Sequence, residues 1–187
     1  MNQPSIDSIT AIVLAGGQSS RMGQDKALLT IGNQPLLRQI CLLAQECTSQ
    51  VYVVTPWPER YHSILPDDCR VIQEILSPGA TQPHGPLIGF AQGLTQIQTD
   101  WVLLLACDLP NLTVSEVKKW STSLAEVSAE AIALLPRNPK GWEPLCGFYR
   151  RRCHLLLDQF IHRGGRSFQA WLAQHPVQEL PVSNFQC

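Results

Sequence analysis

The 187-residue chain lacks the features that define several large classes of protein. Its net charge is only −1 and charged residues make up 16% of it, so it has no basic field of the kind that drives nucleic-acid binding. No apolar run is long enough to cross a bilayer, and the first ten residues have neither the basic nor the apolar region of a signal peptide. These absences predict a cytoplasmic protein that binds neither nucleic acid nor a membrane.

Two common phosphate-binding motifs and one common metal motif are also absent. There is no GxxxxGK[ST], which argues against a P-loop kinase or GTPase, and no GxGxxG opens the first helix, which argues against dinucleotide redox chemistry. None of the seven cysteines pairs with another in a C-x-x-C motif, so neither a zinc site nor a disulfide framework is suggested. The cysteines are predicted to be buried thiols in a reducing compartment.

What the chain does have is a glycine-rich loop after an apolar strand, in AIVLAGGQSSRMGQDKALL. Gly16 and Gly17 end the strand, and without a Cβ they let backbone N–H groups approach an anion closely. Arg21 and Lys26 follow, and both side chains suit phosphate oxygens. The residues alone leave two interpretations open: a cradle for a nucleoside triphosphate, or a plain strand-to-helix connection whose basic residues lie in water.

Short apolar runs alternate with helical patterns along the chain, which is typical of an α/β fold with a mainly parallel sheet. The length and the 44% hydrophobic content predict a single domain over residues 1–187. Helices are predicted to begin near Pro35, Leu87 and Ser115, the last with a capping box of Thr113 and Glu116, and two further helices over 150–161 and 167–174. The predicted strands are 9–14, 50–54, 70–73, 101–106 and 131–135, with another strand in EPLCGFY.

Asp108 is the candidate metal ligand. It follows the apolar run 101–107, so its carboxylate is expected at the C-terminal end of a central strand, where α/β enzymes place catalytic groups. A carboxylate there suits Mg²⁺, which takes hard oxygen ligands and bridges to substrate phosphates. The alternative is that Asp108 only caps the turn that follows it.

The glycine-rich loop resembles the signature of the nucleotidyltransferases, and the double glycine before RMGQDKALL resembles the MobA-type molybdenum cofactor guanylyltransferases. The resemblance extends through GNQPLL, HGPLIGF, ACDLP, EPLCGFY and GRSFQAWL, which covers nearly the whole chain. It implies a Rossmann-like three-layer α/β/α fold with a nucleotide-binding half over about 1–110 and an acceptor-binding half over about 111–187. It further implies transfer of GMP from GTP to the terminal phosphate of molybdenum-molybdopterin, with Mg²⁺ as the cofactor. Molybdoenzymes and other cofactor-biosynthesis proteins are candidate partners.

The resemblance also implies roles for single residues. Arg21, Lys26 and Asp108 are the expected catalytic residues, with Asp108 on the metal. The expected nucleotide-binding residues are Leu14, Ala15, Gly16, Gly17, Lys26, Glu74, Gly85 and Asp108. Glu74 departs from the family pattern, which usually has an aspartate there.

Some questions stay open on the sequence alone. Asp25 either pairs with Lys26 or Arg21 or only begins the next element, and Arg163 and Arg166 either hold the acceptor or lie at a solvated helix terminus. Relatives usually end with a segment of the form NxNTPxE, whereas this chain ends at PVSNFQC, so it is truncated, binds its acceptor differently or has weakened activity. The alternative functions are a nucleotidyltransferase using CTP or a sugar phosphate, and a non-catalytic carrier of nucleotide or cofactor.

Overall fold

A computed structural model describes residues 8–16, 25–76, 79 and 85–180, and all structural statements below concern these residues. Within them, seven strands form one sheet in the order β11-β7-β10-β6-β1-β4-β5, and two short hairpins pair β2 with β3 and β8 with β9. The strands are β1 (Ile9–Leu14), β2 (Thr30–Ile31), β3 (Gln34–Pro35), β4 (Gln50–Thr55), β5 (Cys69–Gln73), β6 (Trp101–Ala106), β7 (Ala133–Leu135), β8 (Arg137–Asn138), β9 (Gly141–Trp142), β10 (Cys146–Arg150) and β11 (Val177–Glu179).

The sheet is parallel except at one strand. β1 lies between β4 and β6 and runs parallel to both, and β4 runs parallel to β5. β10 is antiparallel to β6 and to β7, since the chain returns from β7 through a hairpin and not through a crossover helix. The mainly parallel sheet predicted from the sequence is therefore confirmed.

Helices cover both faces of the sheet. The apolar sides of α1 and α4 pack with alternate strand residues such as Val13 and Leu103, while α3, α5 and α6 pack on the other face with residues such as Ile12 and Leu104. This alternation places one core on each face and confirms the three-layer α/β/α arrangement. The helices are α1 (Leu36–Gln45), α2 (Pro58–Tyr61), α3 (Pro86–Leu94), α4 (Val114–Thr122), α5 (Cys153–His162) and α6 (Phe168–Leu172).

The observed bounds differ from the predicted ones mainly at element ends. β1 and β6 match their predicted ranges, whereas β7 begins at Ala133, and the N–H of Ala131 closes a turn on the carbonyl of Ser128. The first helix begins at Leu36, with Pro35 in an extended conformation just before it. The capping box of Thr113 and Glu116 at the start of α4 is confirmed.

Candidate active site

The C-terminal ends of β1, β4 and β6 meet at one edge of the sheet, where a cleft of about 290 Å³ opens. The strands end together because Leu14 lies opposite Val54 on one side and Ala106 on the other. Every predicted site residue that the structure describes lines this cleft, whereas Gly17 and Arg21 lie outside the described residues. The described lining residues are Leu14, Ala15, Gly16, Lys26, Val54, Glu74, Gly85, Pro86, Gly89, Ala106, Cys107, Asp108 and Leu145.

Gly16 turns the chain out of β1 at the cleft. The backbone N–H of Ala15 still donates to the carbonyl of Val54 at 3.0 Å, which continues the strand pairing by one residue. Gly16 then takes φ +140°, and a Cβ built on it would lie 2.6 Å from Cδ of Pro56. A side chain at this position would have to strain the backbone and displace Pro56, so the turn requires glycine.

Lys26 and Asp108 form an ion pair at the mouth of the cleft. Nζ of Lys26 donates to Oδ2 of Asp108 at 2.7 Å, and this hydrogen bond with the adjacent negative charge raises the pKa of Lys26 above its ordinary value. The two side chains are 42% and 33% exposed, so solvent and ligands can reach both. An ion pair this open contributes little to folding stability, and its groups are available for binding.

Asp25 begins the next element and does not pair with Lys26. Its Oδ1 accepts from the N–H of Ala27 at 3.1 Å and so caps the single 3₁₀ turn Lys26–Leu28. Its Oδ2 accepts from the hydroxyl of Tyr61 at 2.6 Å. Tyr61 was not predicted as a site residue, because this contact joins residues 36 positions apart and no local sequence pattern marks it.

Glu74 is a buried carboxyl group at the wall of the cleft. Its side chain is 8% exposed, and among the described residues Oε1 has no hydrogen-bond partner. Burial raises the pKa of this carboxyl to about 7. Gly89 faces it, since a Cβ there would lie 3.2 Å from Oε2 of Glu74. A buried acceptor without a partner at a cleft is a site where a ligand's donor group would bind favourably.

The first turn of α3 forms another wall of the cleft. Gly85 precedes the helix with φ +102°, a conformation that residues with a side chain rarely adopt, and Pro86 occupies the first helical position. The N–H groups at a helix start have no partner within the helix and favour a nearby anion. His84, which precedes Gly85 in the chain, lies outside the described residues.

The side of β6 occupied by β10 contributes less to the cleft. Leu145 lines it just before β10 begins, and its carbonyl accepts from the N–H of Ala106 at 2.8 Å.

Nη1 of Arg166 donates to the carbonyls of Ile161 and Gly165 at 3.0 and 2.7 Å. Arg166 therefore covers the end of α5, which supports the helix-terminus interpretation for this residue.

Two absences hold for the described part of the chain. No group of three or more His, Cys, Asp or Glu side chains in residues 8–16, 25–76, 79 and 85–180 could hold a metal ion by itself. None of the helices in these ranges is long and apolar enough to span a membrane. A metal at Asp108 would need further ligands, and substrate phosphates and water are suitable ones.

The chain is similar to known proteins over nearly its whole length. The family model of the MobA-like NTP transferase domain matches residues 11–179. A protein of Nostoc sp. named "Probable molybdenum cofactor guanylyltransferase" is 58% identical over 177 residues, which cover 95% of this chain and 83% of that protein.

Solved structures show the same fold. The molybdopterin-guanine dinucleotide biosynthesis protein A of Archaeoglobus fulgidus superimposes with a TM-score of 0.73 at 21% identity, over 92% of this chain and 83% of that one. A Mycobacterium tuberculosis protein crystallised as a complex with manganese superimposes with a TM-score of 0.67 at 16% identity, over 95% and 90% of the two chains.

Proposed function

The chain belongs to the MobA-like NTP transferases and, within them, to the molybdenum cofactor guanylyltransferases, and from this membership we propose that it transfers GMP from GTP to molybdenum-molybdopterin. An oxygen of the acceptor's terminal phosphate forms a bond to the α-phosphorus of GTP. The bond from that phosphorus to the bridging oxygen of the β-phosphate breaks, and pyrophosphate leaves. The product is the molybdopterin guanine dinucleotide.

The observation that carries this proposal is the pair of Lys26 and Asp108 at the mouth of a cleft whose floor is the end of β1. An anionic acceptor must approach a polyanionic triphosphate, so the site has to neutralise charge and hold the reacting groups in line. Lys26 supplies a positive charge, and the glycine turn at Gly16 leaves room for phosphate oxygens. We assign Arg21 and Gly17 to the same task because they lie in the same loop of the sequence.

A divalent metal, proposed to be Mg²⁺, fits the residues present at Asp108. The carboxylate offers hard oxygens, is part-exposed, and lies beside the cleft with no competing cluster of soft ligands among the described residues. Mg²⁺ characteristically binds through one or two carboxylates together with substrate phosphates and water. When bound, it would offset negative charge on the phosphates. Lys26 must release Asp108 for the carboxylate to bind a metal through the oxygen that the lysine occupies.

Glu74 is proposed to bind the nucleotide through its unpaired oxygen. Guanine has N–H donors at N1 and N2, and a ribose has hydroxyl donors, so a carboxylate at the cleft wall has suitable groups to accept from. Leu14, Ala15 and Gly85 line the same cleft and would contact the nucleotide through backbone and apolar surface.

We place the reaction in the cytoplasm. Five cysteines are free thiols, which suits a reducing compartment: Cys41, Cys47, Cys69, Cys107 and Cys153. GTP and molybdenum-molybdopterin are the proposed substrates, and molybdoenzymes or other cofactor-biosynthesis proteins are the proposed recipients of the product.

The deciding experiment is a pyrophosphate-release assay with each of the four nucleoside triphosphates, with and without molybdenum-loaded molybdopterin and Mg²⁺. The proposal expects release only when GTP, acceptor and metal are all present. Preference for CTP would overturn the guanylyl assignment. Tight GTP binding without turnover would instead identify a carrier.

A further inference from the structure

Residues 56–61, which follow β4, contact both of the described residues that border positions 17–24 of the chain. Pro56 packs against Gly16, since a Cβ on the glycine would lie 2.6 Å from Cδ of the proline. Five residues on, Tyr61 at the end of α2 bonds to Asp25 on the other flank. The segment 56–61 therefore contacts the chain at Gly16 and at Asp25.

Both carboxylate oxygens of Asp25 accept hydrogen bonds, one of them from Tyr61. The Tyr61 side chain is fully buried, and burial with the neighbouring carboxylate raises the pKa of its hydroxyl, which keeps the group a donor. The hydroxyl and the N–H of Ala27 occupy one carboxylate oxygen each, at 2.6 and 3.1 Å. A carboxylate held at both oxygens cannot rotate freely, so the start of the 3₁₀ turn is fixed to α2.

Lys26 is the first residue of that turn. The residue before it, Asp25, is bonded to Tyr61, and the residue after it, Ala27, is bonded to Asp25. The Nζ atom of Lys26 donates to Oδ2 of Asp108 at 2.7 Å. The chain of contacts runs from a buried tyrosine in the core to the ammonium group at the mouth of the cleft. A displacement of the ammonium group by about 1 Å is enough to reduce catalysis strongly in a reaction that depends on placed charge.

We propose that Tyr61 is a positioning residue for nucleotidyl transfer: its hydroxyl fixes Asp25, and Asp25 fixes the turn from which Lys26 reaches the reacting phosphates. This inference rests on the proposed function of Lys26. It assigns to residues 56–61 a supporting role at Gly16 and Asp25, although none of them lines the cleft.

The test compares two tyrosines that are both fully buried. Tyr61→Phe keeps the ring and removes only the hydroxyl on Asp25. Tyr149→Phe is the matched control, because the hydroxyl of Tyr149 is likewise buried and donates to the carbonyl of Pro144 at 2.7 Å. The wild type and both variants are compared by thermal unfolding, by the stoichiometry of GTP binding, and by kcat and KM in the pyrophosphate-release assay.

The proposal expects Tyr61→Phe to lower kcat/KM for GTP by about tenfold, as the loss of one hydrogen bond to a charged group does, with full GTP stoichiometry. Tyr149→Phe is expected to lose similar thermal stability and to change kcat/KM less than about twofold. Equal losses of kcat/KM in the two variants, or unchanged kcat/KM in Tyr61→Phe, would overturn the proposal.

A double-mutant cycle separates positioning from a general structural role. Asp25→Ala removes the acceptor of the hydroxyl, so the proposal expects Tyr61→Phe to have no further effect on kcat/KM in that background. Losses that add would show that the hydroxyl acts by another route. The wild-type measurement is independent of this outcome: absence of GTP turnover with acceptor present contradicts the proposed function, whereas turnover with additive losses contradicts only the role of Tyr61.

Discussion

The two sides of β6 are built differently, and the difference supports the place that we propose for the chemistry. On one side β1, β4 and β5 all run parallel, so their C-terminal ends deliver Leu14, Val54 and Glu74 to the same cleft. On the other side β10 runs the opposite way and reaches the cleft only through the residue before its start, Leu145. The parallel side therefore brings three strand ends and the carboxyl group of Glu74 to one edge, and we assign nucleotide binding to it and acceptor binding to the other side.

The strongest test of this comparison is to remove the charges at the boundary of the two sides. Lys26→Ala and Asp108→Ala are each expected to lower kcat by about a hundredfold or more, because each removes a group proposed to stabilise charge at the reacting phosphates. The measurement is the rate of pyrophosphate release at saturating GTP.

Lys118→Ala is the control for loss of a lysine, since Lys118 is exposed on α4 and lies outside the cleft. It is expected to keep kcat within about twofold, as surface substitutions usually do. Wild-type turnover in either Lys26→Ala or Asp108→Ala would remove the basis for placing the reaction at this edge.

Gly16, at the end of β1, and Gly164, outside the cleft, form a second test. Both have positive φ, but an added Cβ would meet a neighbouring atom only at Gly16. Gly16→Ala meets φ +140° and Pro56 at 2.6 Å, whereas Gly164→Ala meets φ +87° and no atom within 4 Å. We expect Gly16→Ala to lose about 3 kcal/mol of unfolding free energy and to weaken GTP binding. Gly164→Ala is expected to lose about 1 kcal/mol and to keep its GTP affinity.

Denaturant unfolding and GTP titration measure the two effects separately. Equal GTP affinity in both alanine variants would mean that the turn at Gly16 does not shape the nucleotide site. Equal destabilisation would mean that the contact with Pro56 relaxes without cost.

The sequence predicted the parallel side better than the other side, for a physical reason. Strands buried on both faces are continuous apolar runs, so β1 and β6 were predicted at their observed bounds. Lys26 and Asp108, which follow these strands in the chain, line the cleft. The antiparallel direction of β10 was not predicted. The absence of a helical pattern between β7 and β10 was the available signal, since a parallel connection needs a crossover of a dozen or more residues.

Contacts between distant residues could not be predicted from one sequence. Lys26 and Asp108 were each identified, yet their ion pair joins residues 82 positions apart and depends on the register of β1 with β6. The hydrogen bond from Tyr61 to Asp25 depends likewise on how α2 packs against the chain at Asp25. Local patterns identify a residue type and an element, whereas tertiary packing selects the partner.

The variant Glu74→Gln tests how the buried carboxyl group at the wall of the cleft changes the free energy of unfolding with pH. The folded chain raises the pKa of this carboxyl from 4.5 to about 7, so the wild type loses unfolding free energy as the pH rises through that window. The glutamine variant lacks this loss and is expected to be more stable than the wild type above pH 7, with the difference vanishing below about pH 4.5. Unfolding midpoints at several pH values give the comparison, and a pH-independent difference would contradict the assignment.

The same variant tests the proposed contact with GTP. The ionised carboxylate is a stronger hydrogen-bond acceptor than the protonated carboxyl group, so the wild-type affinity for GTP is expected to weaken as the pH falls below about 7. Glu74→Gln is expected to bind GTP about tenfold more weakly than the wild type at pH 8, as loss of a charge-assisted hydrogen bond does. If the GTP affinities of the wild type and Glu74→Gln changed with pH in the same way, the carboxyl group would not contact the nucleotide.

The smallest expected effect lies on the acceptor side, at Gln169 of α6. The side-chain amide of Gln169 makes two hydrogen bonds to the hairpin β8–β9. Its Oε1 accepts from the N–H of Trp142 at 3.2 Å, and its Nε2 donates to the carbonyl of the same residue at 2.6 Å. Gln169→Ala is expected to raise KM for molybdenum-molybdopterin about threefold and to leave the Kd for GTP unchanged, since the hairpin follows β7 on the side assigned to the acceptor. Gln174→Ala is the control, because its amide bonds only within its own helix end, to the carbonyl of Ala170. A change in GTP affinity with unchanged acceptor KM would reverse the assignment of the two sides.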